Sequence, residues 1–110
     1  MKYDKLVRDN IPSIIEKSGK KCRYKQVKGK ELGKYLYAKL DEEVAELHNA
    51  KTPEEKLEEI IDIEEVLMTI FKHEELDDYK YFLKLTSKNR EKGRFKQGYI
   101  LKEVYEDTNK

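Results

Sequence analysis

Glu43 and Glu46 are matched by Glu59 and Asp62, and the two pairs are mirror images about the point between Thr52 and Pro53. If the chain turns there between two antiparallel helices, Glu46 comes level with Glu59 and Glu43 with Asp62. Residues three apart on a helix share a face, so each helix contributes a two-toothed claw. Carboxylates gathered at one height repel each other unless positive charge lies between them. Hard oxygen ligands of this sort suit Mg²⁺ or Mn²⁺. The chemistry expected of such a centre is metal-dependent attack on a phosphate ester or anhydride.

Acid pairs at this spacing are common in the chain, as Glu55/Glu58, Glu74/Asp77 and Glu103/Glu106 show. Taken singly, each is a solvated helix face. Placement separates the mirrored pairs from the rest. Glu43 lies among Leu36, Leu40 and Leu47 on an apolar stripe, and Glu59 is flanked by Ile63 and Val66. An unpaired carboxylate in such surroundings costs several kcal/mol. The competing reading is that Lys39, Lys51 or Lys56 neutralises the acids in plain salt bridges, which would leave a helical interaction module. Ala45 and Ile70 precede His48 and His73 by three residues, so the Glu-x-x-His pattern of di-iron bundles is absent. One cysteine and two histidines are too few for a Cys/His zinc site.

Positioning these acids requires helices, and the chain has their signals. Residues 1–8 read as extended. A short helix follows, with Asp9 or Asn10 as cap, Pro12 in its first turn, Ile11, Ile14 and Ile15 on one side, and Ser18-Gly19 as its end. Cys22–Val27 alternates weakly, as a short strand or an extended connector does. A second helix runs from about Lys30 to Asn49 on the stripe Leu32, Leu36, Leu40, Val44 and Leu47. Thr52, Pro53 and Glu55 make a capping box that opens a third helix, to about His73. That helix carries Leu57, Ile60, Ile61, Ile63, Val66, Leu67, Ile70 and Phe71 around most of its girth, which predicts neighbours on several sides. A fourth helix, from about Glu75 to Glu91, is supported by Leu76, Tyr79, Phe82, Leu83 and Leu85 and stopped by Gly93. The tail from Phe95 to Tyr105 has β character and is expected to pack back on the bundle. The fold class is therefore all-α, an antiparallel bundle of about four helices with short extended segments near both termini, in one domain spanning residues 1–110.

Composition agrees. Charged residues make up 43% and apolar ones 37%, too apolar and too periodic for a disordered chain. A net charge of +1 predicts no general affinity for nucleic acid or anionic membranes. Charge is nonetheless uneven: residues 41–78 are acidic, while 17–39 and 80–102 are rich in Lys and Arg. The lone Cys22 precludes an intrachain disulfide, and neither a signal-peptide core nor a membrane-spanning run is present, so a cytoplasmic protein is expected.

The run Glu42-Glu43-Val44-Ala45-Glu46, followed by Glu59-Ile60-Ile61-Asp62, resembles the EExxE…ExxD signature of the all-α nucleoside triphosphate pyrophosphatases, the MazG-like and phosphoribosyl-ATP pyrophosphohydrolase-like superfamily. Lys5-Leu6-Val7-Arg8-Asp9-Asn10-Ile11-Pro12 looks like the KLVRDKIP opening of its short single-domain branch. Lys92-Gly93-Arg94-Phe95, with Gly98 and Ile100-Leu101, looks like that branch's RGGF close. The resemblance implies hydrolysis of a nucleoside triphosphate or related nucleotide between its α- and β-phosphates, giving monophosphate and pyrophosphate. It implies Mg²⁺, or Mn²⁺ in its place, held by Glu43, Glu46, Glu59 and Asp62, with Glu42 and Glu43 as catalytic carboxylates. Lys5, Arg8, Lys88, Arg90, Lys92 and Arg94 are the candidates for phosphate contact, Arg8 foremost because it lies in the opening motif, and the resemblance implies a homodimer or homotetramer. Asn10 stands where the branch has Lys, and Lys92 and Arg94 replace an Arg and a Gly, so substrate preference does not carry over. A nucleotide sensor that kept the claw and lost turnover is the alternative.

Overall fold

The computed structural model describes residues 4–108 and contains four α-helices: α1 Ile11–Lys17, α2 Gly29–Asn49, α3 Pro53–His73 and α4 Asp78–Lys92. No strand occurs among the described residues, so the fold is all-α. Residues 1–3 of the expected N-terminal extension lie outside the described set, and residues 4–8 have no regular secondary structure. Cys22–Val27 is a connector rather than a strand. No helix is long and apolar enough to cross a membrane among these residues.

The chain forms two compact units, one ending at Leu76 and one beginning at Asp77. Within the first, α2 packs on α3 as an antiparallel hairpin. The turn is built as the local chemistry requires. Thr52 Oγ1 accepts from the Glu55 N–H at 3.1 Å, and Pro53 opens α3 where no intrahelical donor is needed. The Glu55 carboxylate reaches back one residue further than a standard capping box, to the Lys51 N–H at 3.2 Å. At the other end of the hairpin a Cβ on Gly33 would stand only 3.0 Å from His73 Nε2, so glycine permits close approach there. These two contacts set the register, and the mirrored acids fall between them.

Leu36 on α2, 1% exposed, is the fully buried apolar side chain among the described residues. Ile63, Val66 and Ile70 of α3 are half-buried on the side of that helix that also carries Glu59, Asp62 and His73. The opposite side of α3 departs from expectation: Leu57, Ile60, Ile61, Leu67 and Met68 are exposed, so within its unit α3 is covered by α2 on one side. Asn10 occupies the cap position of α1 but makes no side-chain capping bond.

α3 ends in a Schellman motif, with Leu76 N–H donating to Phe71 O and Glu75 N–H to Lys72 O, both at 3.1 Å. Glu75 has φ +56, the left-handed conformation glycine usually provides there. This is why α4 starts later than its apolar residues suggest. Its cap is Asp77, whose carboxylate accepts from Lys80 N–H at 2.8 Å, and Leu76 lies outside it. Within the second unit Phe95, Tyr99, Ile100, Leu101, Val104 and Tyr105 are all exposed, and the tail has no strand among its described residues. We predict that Glu75→Gly stabilises the protein by about 1 kcal/mol in denaturant titrations by removing the left-handed penalty. Glu75→Ala, which keeps the Cβ, should give no such gain, and equal effects of the two would refute the strain at this position.

Candidate metal centre

Helical period puts Glu43 on the stripe of α2 that faces its partner helix, in line with Leu36 and Leu47. The same period turns Glu59 and Asp62 of α3 toward α2, beside Ile63 and Val66. Two groups of carboxylates result. Glu42, Glu43 and Glu46 each offer an oxygen within 4.8 Å of the others, and Glu43, Glu59 and Asp62 do the same across the hairpin. Glu43 belongs to both. Its residue exposure is 4%, making it the buried charged residue among those described.

Among the described residues, three cations stand against these acids. Lys39, one turn before Glu43 on α2, places Nζ 3.2 Å from Glu43 Oε1 and 3.5 Å from Glu42 Oε1. Lys5 Nζ lies 3.3 Å from Glu42 Oε1. Arg8 donates through Nη2 to Asp62 Oδ1 at 2.7 Å, a charge-assisted bond. Lys39 is thus the one of the three lysines weighed above that pairs with the mirrored acids. Lys5 and Arg8, expected at phosphate, sit on carboxylates.

Neutralisation is incomplete. Glu43 Oε2 and Glu59 Oε2 are both buried without a hydrogen-bond donor. Glu59 is pushed up to about 7, foremost by its contact with the Glu43 carboxyl, which a shared proton turns into a hydrogen bond. Burial and the charges of Glu46 and Glu43 act in the same direction. Lys39 is held above the usual lysine range: burial opposes its charge, but the bond to Glu43 and the fields of Glu42 and Glu43 outweigh that. Without another cation, the inner oxygens are relieved by taking up a proton. A divalent ion relieves the same crowding by replacing that proton.

An open depression of about 340 Å³ lies toward the turn, lined by Glu46, Asn49, Ala50, Glu55, Glu58 and Glu59. Glu46 and Glu59 are common to it and the carboxylate cluster, so the acids border open space. The remaining basic candidates belong to the second unit. Lys88, Arg90 and Lys92 are on α4, and Arg94 follows the Gly93 cap; all four are exposed. Reasoning from sequence missed the Arg8–Asp62 and Lys5–Glu42 pairings, for which the only signal was opposite charge. No family model, curated protein or solved structure matches this chain.

The raised Glu59 value fixes a pH dependence. A carboxyl whose folded value lies above its ordinary 4.5 contributes stability that is complete below 4.5 and is lost as pH rises through about 7. Metal-free protein is therefore expected to melt at progressively lower temperature between about pH 5 and about pH 8. Glu59→Gln should flatten that slope and raise the melting temperature at the alkaline end. A wild-type profile already flat over this range would show that no proton is shared.

Proposed function

We propose that this protein is a Mg²⁺-dependent nucleotide pyrophosphohydrolase, with Mn²⁺ able to replace Mg²⁺. The observation that carries the reading is Glu43, a carboxylate buried in a helix interface with one oxygen unpaired and two carboxylate groups converging on it. Such a donor set fits a hard divalent cation: all oxygen, negatively charged, and short of donors at its centre. In this reading Glu43, Glu46, Glu59 and Asp62 hold the ion. When bound, it offsets charge on phosphate oxygens and acidifies an attacking water.

The chain's own groups then have separable tasks. Glu42, at the edge of the first carboxylate group and half-buried, is assigned to orienting the water by accepting its proton. Lys5 and Arg8, half-exposed next to the acids, are assigned to the phosphate oxygens. Lys88, Arg90, Lys92 and Arg94 of the second unit are further candidates for phosphate contact by their charge, the last two also by the closing motif. Support for this chemistry over other phosphate hydrolyses comes from the same resemblance, to the all-α nucleoside triphosphate pyrophosphatases. We assign the protein to the cytoplasm, with which its single cysteine accords. The exposed side of α3, with Leu57, Ile60, Ile61, Leu67 and Met68, supports a homo-oligomer, because apolar area of this kind is stabilised by a second copy.

One observation favours a second reading. Lys39, Lys5 and Arg8 already pair with three of the acids, as in a helical interaction module held by salt bridges. Against it, these cations leave the inner oxygens of Glu43 and Glu59 without a donor.

Two experiments separate the readings. Millimolar Mg²⁺ or Mn²⁺ should raise the melting temperature of the wild type through linkage, whereas a salt-bridged module would show no shift. Pyrophosphate release should be assayed over a panel of common and oxidised nucleoside triphosphates, alarmones and phosphoribosyl nucleotides. Glu59→Gln and Asp62→Asn are expected to keep the fold and lose turnover by about 100-fold or more. Full activity in both variants would remove the metal assignment. Light scattering should give a mass of two or four chains, and a monomer would refute the oligomer.

A further inference from the structure

The cations that meet the acids come from two different kinds of place. Lys39 is built into α2, one turn before Glu43 and with its side chain 20% exposed, so the helix itself keeps that ammonium within reach of the carboxylate. Lys5 and Arg8 ride on a segment with no regular secondary structure, and their side chains are 52% and 54% exposed. That segment is laid along the hairpin by side-chain contacts at three points. Tyr35 OH of α2 donates to Asp4 Oδ1 at 3.2 Å, Lys5 meets Glu42 of α2, and Arg8 meets Asp62 of α3. Each contact is a single polar pair, and Leu6 is the one half-buried residue of the segment, so charge contributes more to the hold than apolar burial does.

The geometry points to a counter-ion strap. In the metal-free protein, residues 4–8 lend the carboxylate centre two positive charges, and Arg8 competes directly with a divalent cation for Asp62. This rests on the metal reading above and adds to it an order of events. A guanidinium 2.7 Å from Asp62 Oδ1 and a divalent ion among Glu43, Glu59 and Asp62 would be like charges on one carboxylate, so each weakens the other's hold on it. Arrival of the ion supplies the charge that the strap was supplying, and the Arg8 and Lys5 heads are released a few ångströms from the ion. They then face an anion in place of carboxylates. The strap thus acts as a stand-in for the metal before it binds and as a receptor for phosphate afterwards, so cation binding precedes phosphate binding.

The test is Mn²⁺ affinity in the absence of any nucleotide, read from the free Mn²⁺ signal by electron paramagnetic resonance on the full chain. Arg8→Gln removes the competing charge and should lower the Kd for Mn²⁺ about fivefold or more relative to wild type. Tyr35→Phe, which frees Asp4 and touches none of the acids, should move Kd the same way by a smaller factor. On wild type, Mn²⁺ should also speed tryptic cleavage after Lys5 and Arg8, while cleavage within α2 and α3 slows. If wild type binds Mn²⁺ and both variants bind equally or more weakly, with strap cleavage unchanged by the ion, the strap is overturned and the metal centre stands. If neither wild type nor Arg8→Gln binds Mn²⁺, the metal centre is overturned and the strap with it.

Discussion

A carboxylate placed where a leucine would ordinarily sit governs this molecule. Glu43 continues the stripe begun by Leu36, and it meets Glu59 and Asp62 across the only helix pair of its unit that packs face to face, among the described residues. Burying one such group is unfavourable, and opposing it with two more is worse. Among the described residues the answer is positive charge from Lys39 of the same helix and from Arg8 and Lys5 of the N-terminal segment, together with a Glu59 carboxyl pushed up toward taking a proton. These answers differ in permanence. A lysine one turn away is fixed by the helix, whereas a proton and an extended segment are exchangeable. What the molecule cannot shed is structural, and what it can shed is available for exchange with a ligand.

Apolar packing contributes less than the length of the helices suggests. With Leu36 alone fully enclosed among the described residues, the hairpin draws on well-formed ends: the Thr52–Glu55 cap at the turn and the Gly33–His73 approach at the far end. The Thr52 cap is a local bond worth about 1 kcal/mol and lies away from the acids at mid-height. That division suits a centre whose charge state changes, because the cap does not rely on the clustered carboxylates.

Much of this was legible from the residues, for identifiable reasons. The Thr52-Pro53-x-Glu55 signal is local and chemically specific, so both the start of α3 and the mirror register of the acids could be read directly. Glu43 and Glu59 stood out because each interrupts an apolar pattern. Glu75 was not legible as a helix end, since glutamate carries no left-handed preference and Leu76 continues an apolar rhythm; only the backbone reveals the Schellman turn. Nor was the partner of Arg8 legible. It is 54 residues away, and opposite charge names too many candidates at that distance. The apolar girth of α3 predicted cover on several sides, yet periodicity reports how much surface seeks cover and not which chain supplies it.

Pinning the hairpin at both ends also turns the stretch between Glu46 and Glu59 into a ruler. One residue inserted inside either helix, between an acid and the turn, would rotate that acid by ~100° and carry it out of the cleft. The same insertion in the connector before Gly29, or beyond His73, would leave the acids where they are. Length variation in descendants of this sequence should therefore concentrate outside the hairpin, and the spacing from Glu43 to Asp62 should drift far more slowly than the identities of the residues it encloses.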